Sequence, residues 1–450
     1  MTAPCPLLAL ALAGLAGCIP YRPQPIEPPR LEQEFRNRSL HDAGLRAFVG
    51  LSTPWPPATL DLDSLARVAL YYSPAARVAR AQAQVAQAQV VAAGARPNPD
   101  LAVESGHSRN PEAAALFKLL PGFTIETAGK RGYRILQAQR LAEAAGLASG
   151  EAGWQARSRV RAALAASLFS HRRRELLRGE ERLRAEIVRI FDKRLEAGEA
   201  ARPELDLFRI ELLAAQGALQ AAEGDVNTAF AALAGAAGVP VSALEGTPIR
   251  WLSLDAPPPE DQLPWKSVQR AGLLHRADVR RLVAEYAAAD AALRLEVARQ
   301  YPDLQIGPSY SFEEGFSRYV LAGGLAPLPV FHRNRGRIGV AEAQRVEAKT
   351  RVEAAQAEAI GDIERALARY RAAHTEWREA ARRLAAVQRD REQATLKSFA
   401  AGETDRLAVF LARLQSNLAA RAQLDALERA QSALGALEDA VQQPLEKVQP

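Results

Sequence analysis

Apolar positions along this chain follow two different periods. Between residues 337 and 401, Val352, Ala359, Ala366, Ala373, Ala380 and Val387 recur every seventh position, and Ile363, Tyr370, Trp377 and Leu384 form a companion stripe with the same spacing. A sustained seven-residue repeat with small side chains on one side is a coiled-coil seam. A second long helical run fills 133–197. At 1.5 Å rise per residue, a run of about 65 residues reaches ~100 Å, so a tube or stalk is implied. The other period is two. Leu304, Ile306, Pro308, Tyr310 and Phe312 alternate with Gln305, Gly307, Ser309 and Ser311, and Tyr319, Leu321, Gly323 and Leu325 begin another such run. One face is apolar and the other small and polar, as in a membrane barrel strand, although an ordinary half-buried hairpin shows the same alternation. Pro308 requires an edge or a bulge there.

Self-comparison exposes a duplication. Asn98-Pro99-Asp100-Leu101 returns as Tyr301-Pro302-Asp303-Leu304, Lys130-Arg131-Gly132 as Asn334-Arg335-Gly336, and Ala197-Gly198-Glu199 as Ala401-Gly402-Glu403. The order is kept and the displacement is nearly constant, which marks two copies of one unit. The copies occupy 60–239 and 264–444, with a Pro-rich piece at 240–263, a leading segment at 18–59 and a tail at 445–450. Each copy predicts a helix (62–96 and 266–300), two strands (99–106 and 121–127 in the first), the long helix (133–197 and 337–401) and a returning helix (203–237 and 404–442). Pro203 marks the start of one return and Thr404 the start of the other.

Composition narrows the class. The chain is 48% apolar with only 6% aromatics, and alanine dominates the apolar share. Small side chains favour long helices lying close together over a thick core. The net charge of +6 is interleaved as RRREL and EWREAARR, the pattern of solvated helix faces, so a nucleic-acid partner is not expected. After residue 17 no segment offers twenty apolar residues; AFAALAGAAGVPVSAL is short and broken by Pro240. Residues 1–17 read as a signal peptide, and Leu15-Ala16-Gly17-Cys18 resembles the bacterial lipobox, which implies cleavage before Cys18 and lipid on its sulfur. Ile19, where aspartate would imply retention at the inner membrane, points to the outer membrane.

No catalytic constellation is present. The six histidines have no paired spacing, and Walker, dinucleotide and GxSxG motifs are absent. The only methionine is Met1. The expected protein is no enzyme and takes no cofactor and no metal. Glu180-Glu181 and the arginines near the turns (Arg202, Arg406, Arg413) read as solvated or intrahelical groups.

Together these features resemble the TolC-type outer-membrane efflux proteins. The resemblance covers nearly the whole mature chain and rests on Leu195 through Glu199 leading to Asp206, Phe399 through Glu403 leading to Val409, Pro327 through Phe331 before Arg335-Gly336-Arg337, and the closing Ala436-Leu437 to Pro444-Leu445. It implies a mainly α fold with a small β membrane part. Duplicated long-helix hairpins would form an α-barrel, and four strands per chain would complete a trimeric twelve-stranded β-barrel. Four strands alone cannot close one, since a barrel takes at least about eight. The partners implied are a homotrimer, a periplasmic adaptor, an inner-membrane efflux pump and outer-membrane lipid. The function implied is passive conduction of what the pump delivers. The adaptor would dock at the hairpin tips, Gly198, Glu199, Gly402 and Glu403, and the membrane-facing apolar side would carry Leu304, Ile306, Tyr310, Phe312, Tyr319 and Leu321. Where some relatives place gate aspartates after the second tip, this chain has Ala408 and Leu411. The Ala/Arg-rich style and short strand loops look like the heavy-metal cation-efflux branch. The alternative is a non-pore periplasmic coiled-coil adaptor or scaffold lipoprotein, but adaptors have one helical hairpin between sheet-rich domains.

Overall fold

The computed structural model describes residues 20–50, 54–106, 116–263, 270, 272, 274–313 and 316–445; Cys18 lies outside them. Two short helices come first, α1 (Pro28–Arg36) and α2 (Ala43–Val49). The first copy then gives α3 (Leu62–Tyr72), α4 (Pro74–Ala93), β1 (Asp100–Gly106), β2 (Leu116–Ile125), α5 (Lys130–Glu196) and α6 (Arg202–Ala237). The second gives α7 (Ala277–Ala298), β3 (Leu304–Glu313), β4 (Phe316–Leu325), α8 (Arg335–Glu379), a π turn (Ala380–Leu384), α9 (Ala385–Ala400) and α10 (Arg406–Val441).

The duplication extends to backbone detail. The helix expected over 62–96 is broken at Ser73, where φ is −55° and ψ 124°, because Pro74 disfavours a helical residue before it. Arg276 adopts the same two angles before α7 although no proline follows it. There the Ala277 N–H donates to Gln442 Oε1 at 2.8 Å. Both long helices end in the same way. Glu199 N–H donates to Arg194 O and Glu403 N–H to Ser398 O, at 2.7 and 2.9 Å, around Gly198 and Gly402 with φ of 75° and 78°. That is the Schellman end, and its left-handed residue favours glycine. The returning α10 starts at Arg406, two residues after the expected 404. Asp405, not Thr404, accepts the Ala408 N–H at 2.9 Å and caps the helix.

The helices lie side by side in the order α6, α5, α10, α8/α9, with α4, α5, α7 and α8 adjacent in turn. Ala156, Ala291, Ala359 and Ala430 are fully buried, which shows where the alanine excess is used. The seam on α8 follows the heptad as far as Ile363, Ala366 and Tyr370, all buried. From the π turn onward it fails: Leu384, its last residue, is 38% and Val387 63% exposed. A π turn adds a residue to one helical turn, which rotates everything downstream by roughly 100° and carries the stripe out of the seam.

The strands form one antiparallel sheet in the order β1-β2-β3-β4, and β2 begins at Leu116, earlier than the expected 121. The register shifts between Gly307 and Ser309, so Pro308 sits at an irregularity as its missing N–H requires. Gly307 is needed beside it. A Cβ at Gly307 would stand 1.8 Å from the Pro121 carbonyl oxygen. Gly307→Ala is expected to destabilise the sheet by about 1–3 kcal/mol or to shift β3 against β2. Unfolding in detergent followed by circular dichroism measures it, and an unchanged transition would refute the close approach.

Candidate functional site

The sheet keeps its described charges on one face, which also holds Leu116, Leu120, Phe316 and Val320. Cross-strand pairs Val103↔Leu119, Leu119↔Tyr310 and Tyr310↔Tyr319 set the opposite face, continued by Phe117↔Phe312, Phe123↔Ile306 and Ile125↔Leu304. Five of the residues singled out from the alternation, Leu304, Ile306, Tyr310, Phe312 and Tyr319, therefore share a face with the apolar side of β1 and β2. Leu321 follows on β4, and its side chain lies outside the described set. Tyr310 stands 5.0 Å from Tyr319 and 6.4 Å from Phe117, centroid to centroid, forming an aromatic row across three strands. The other face carries the charges. Glu104↔Lys118, Lys118↔Ser311 and Ser311↔Arg318 lie in one register row, and Glu104 pairs with Lys118 at 3.8 Å. Among the described side chains no charge falls on the apolar face. The outer edges of β1 and β4 have no partner strand among the described residues.

The sheet is tied to the helices by the landmarks that revealed the duplication. Lys130 is buried, and its Nζ donates to Asp303 Oδ1 at 2.7 Å; the Thr127 N–H donates to the same oxygen at 2.9 Å. The start of β3 and the start of α5 are thus held as one joint.

At the far end Gly198, Glu199, Gly402 and Glu403 sit at the two turns, exposed and unobstructed; a Cβ at either glycine meets nothing within 4 Å. Ion pairs link the two hairpins there. Arg194 donates to Asp405, and Arg406 approaches Glu186 at 3.8 Å. Arg413 reaches Glu392 on the neighbouring helix at 3.8 Å. The arginines read as solvated or intrahelical thus include two that bridge helices. The Ala408 N–H, and then Arg194, hold the Asp405 carboxyl below the ordinary aspartate value. A depressed pKa means the tie is present above the unfolded value, roughly pH 4, and lost as pH falls through the folded one. Protection of the tip amides against hydrogen exchange, relative to their intrinsic rates, is expected to fall on acidification below that range, a step that Asp405→Asn loses. Identical pH profiles would refute it.

Two buried groups escaped sequence reasoning. Glu180 is no solvated acid: it is buried between Arg184 at 2.9 Å and Arg421 at 3.0 Å, joining α5 to α10. Glu438 is fully buried, with Arg161 at 3.1 Å and Arg157 at 3.2 Å, and it accepts the Leu445 N–H at 2.9 Å. Gly435 makes room, since a Cβ there would meet Arg161 Nη1 at 2.3 Å. Arg161 also donates to Gln431 O at 2.9 Å, and Gln431 donates to the Leu254 carbonyl at 2.8 Å. One cluster thereby joins the first copy, the inter-repeat segment, the second copy and the C-terminal tail. Its members are spaced far apart in sequence, so no local pattern announces it.

No cluster of three or more His, Cys, Asp or Glu that could hold a metal occurs among the described residues. No helix of the described residues is long and apolar enough to cross a membrane.

Residues 65–239, within the first copy, match the family described as outer membrane efflux protein. No curated protein matches the sequence. Among solved structures, the outer membrane protein VceC from Vibrio cholerae superposes with a TM-score of 0.68 at 19% identity, covering 85% of this chain and 96% of its own. A membrane protein from Pseudomonas aeruginosa gives 0.68 at 20%, covering 84% and 93%. The Campylobacter jejuni CmeC outer membrane channel gives 0.68 at 16%, covering 84% and 85%. The fold is that of the TolC-like channels, a helical barrel with a small β part.

Proposed function

We propose that this chain is an outer membrane efflux protein: the channel-forming subunit that passively conducts what an inner-membrane pump and a periplasmic adaptor deliver. The sheet carries the reading. Among the described residues it has one uncharged apolar face, one face bearing every strand charge, and two edges without a partner strand. An apolar band with an aromatic row suits lipid, and the charged face suits a water-filled lumen. Open edges need partners. Three copies supply twelve strands, enough to close a barrel.

The helical part supports the same assembly. Exposed apolar stripes lie at both ends of the helix row: Leu207, Ile210 and Leu213 on α6, Val387 and Phe399 on α9. Unlike faces on opposite sides suit head-to-tail contacts that close into a ring. The adaptor then meets the turns at Gly198, Glu199, Gly402 and Glu403, and lipid on Cys18 adds a second hold on the outer membrane. A non-pore adaptor has no use for a charge-sorted sheet joined to two equivalent hairpins.

The deciding experiment is reconstitution of the purified protein in planar bilayers with subunit counting by native mass. Trimers with discrete conductance are expected; a stable monomer without membrane association would overturn the assignment. Cys18→Ser is expected to lose labelling by a fatty-acid probe, and retained label would remove the anchor. The cation-efflux reading rests on composition and loop length. It predicts that deleting the gene sensitises cells to heavy-metal cations more than to hydrophobic drugs, and the opposite order would refute it.

A further inference from the structure

Where α3 breaks into α4, a cavity of 580 Å³ opens between α4, α5 and α7. Its floor is glycine: Gly146 and Gly150 both face open space, with no atom within 4 Å of a Cβ built on either. Arg80, Arg157, Arg280 and His275 stand around it, and no carboxylate is among its described lining residues. Arg80 donates to the Ala76, Leu70 and Tyr71 carbonyls at 3.3, 2.9 and 3.2 Å, which orients the guanidinium at the C-terminal end of α3 and leaves it with no carboxylate partner among the described residues. Arg280 is exposed at the rim. Of the acids nearby, Glu438 pairs with Arg157 and Arg161, Asp278 with Arg276 and Glu151 with Arg281, while Asp439 accepts from the Trp154 indole N–H at 3.1 Å and the Ser158 hydroxyl at 2.6 Å. Ala76 on the wall belongs to the first turn of α4, a 20-residue helix whose start has no side-chain cap, so the positive end of that helix also meets the cavity. Trp154 and Phe48 supply apolar walls. Each is faced by an arginine, Trp154 by Arg157 at 5.0 Å and Phe48 by Arg80 at 5.6 Å.

We propose that this cavity binds a small organic anion, its carboxylate or phosphate at Arg80, Arg280 and the start of α4, and its apolar body between Trp154 and Phe48. The physical reason is that cations and an uncapped helix start, gathered without a carboxylate, attract an oxyanion, while a glycine floor leaves room for a body behind it. The proposal does not depend on the channel reading, because the cavity is built within one protomer.

The test is isothermal calorimetry on the full-length protein in detergent, with benzoate, phenyl phosphate and inorganic phosphate as probes. At least one aromatic anion should bind, and the pair identifies the head group. Gly150→Leu fills the empty space with a better helix former, so folding should survive while binding falls at least about tenfold. Arg280→Ala should weaken binding similarly, and Arg280→Lys should restore part of it. Circular dichroism of the variants confirms the fold. The proposal is overturned if neither aromatic anion binds, if inorganic phosphate binds as tightly as phenyl phosphate, or if Gly150→Leu binds like the parent.

Discussion

Ile306→Arg is expected to abolish pore formation, while Gln305→Arg, one residue away, leaves the pore assembled. The two positions face opposite sides of β3: Ile306 pairs with Phe123 in the apolar face and Gln305 with Thr124 in the charged one. An arginine on the lipid side of a barrel costs up to about 2–4 kcal/mol at the midplane and less toward the interfaces, and the proposed trimer carries it three times. On the side facing the proposed lumen the guanidinium stays in water. It adds positive charge to the face that already holds Lys118 and Arg318 and should shift conduction toward anions. Membrane fractionation and bilayer conductance of both variants measure the contrast. If both insert equally, or if Gln305→Arg fails and Ile306→Arg does not, the assignment of faces is wrong.

The second large effect lies in the helices. Glu438→Ala is expected to destabilise the protomer by about 3–5 kcal/mol, because it strands Arg157 and Arg161 without a counter-charge. The cost comes from the charge left behind more than from the contact removed. Hence Arg157→Leu and Arg161→Leu combined with Glu438→Leu should recover most of the loss, as apolar replacement of a whole buried ionic cluster often does. Urea unfolding followed by far-ultraviolet circular dichroism gives both numbers. A Glu438→Ala variant within 1 kcal/mol of the parent would mean the cluster does not hold the two copies together.

Much of the architecture was legible before any coordinates. The seven-residue seam, the alternating strands and the duplicated landmarks identify long helices, a sheet and two copies, because each is a periodic signal averaged over many residues. Pro308 announced its bulge, since a missing N–H leaves few places in a sheet. Single events were less legible. The break at Arg276 has no proline to mark it; it depends on Gln442, brought in from the end of α10. The π turn at Ala380–Leu384 sits inside an unbroken heptad pattern, and it removes Leu384 and Val387 from the seam they were expected to extend. Glu180 looked like any surface acid until Arg421 arrived from another helix.

Periodicity and duplication alone determined that this chain builds two long helical hairpins with paired strands, since hydrophobic spacing dictates which face of an element must be covered. Tertiary structure decided which charges end up buried and how the four strands share one face and one register. Cross-strand pairing and ion pairs between distant helices join residues whose separation along the chain carries no information about their distance in space.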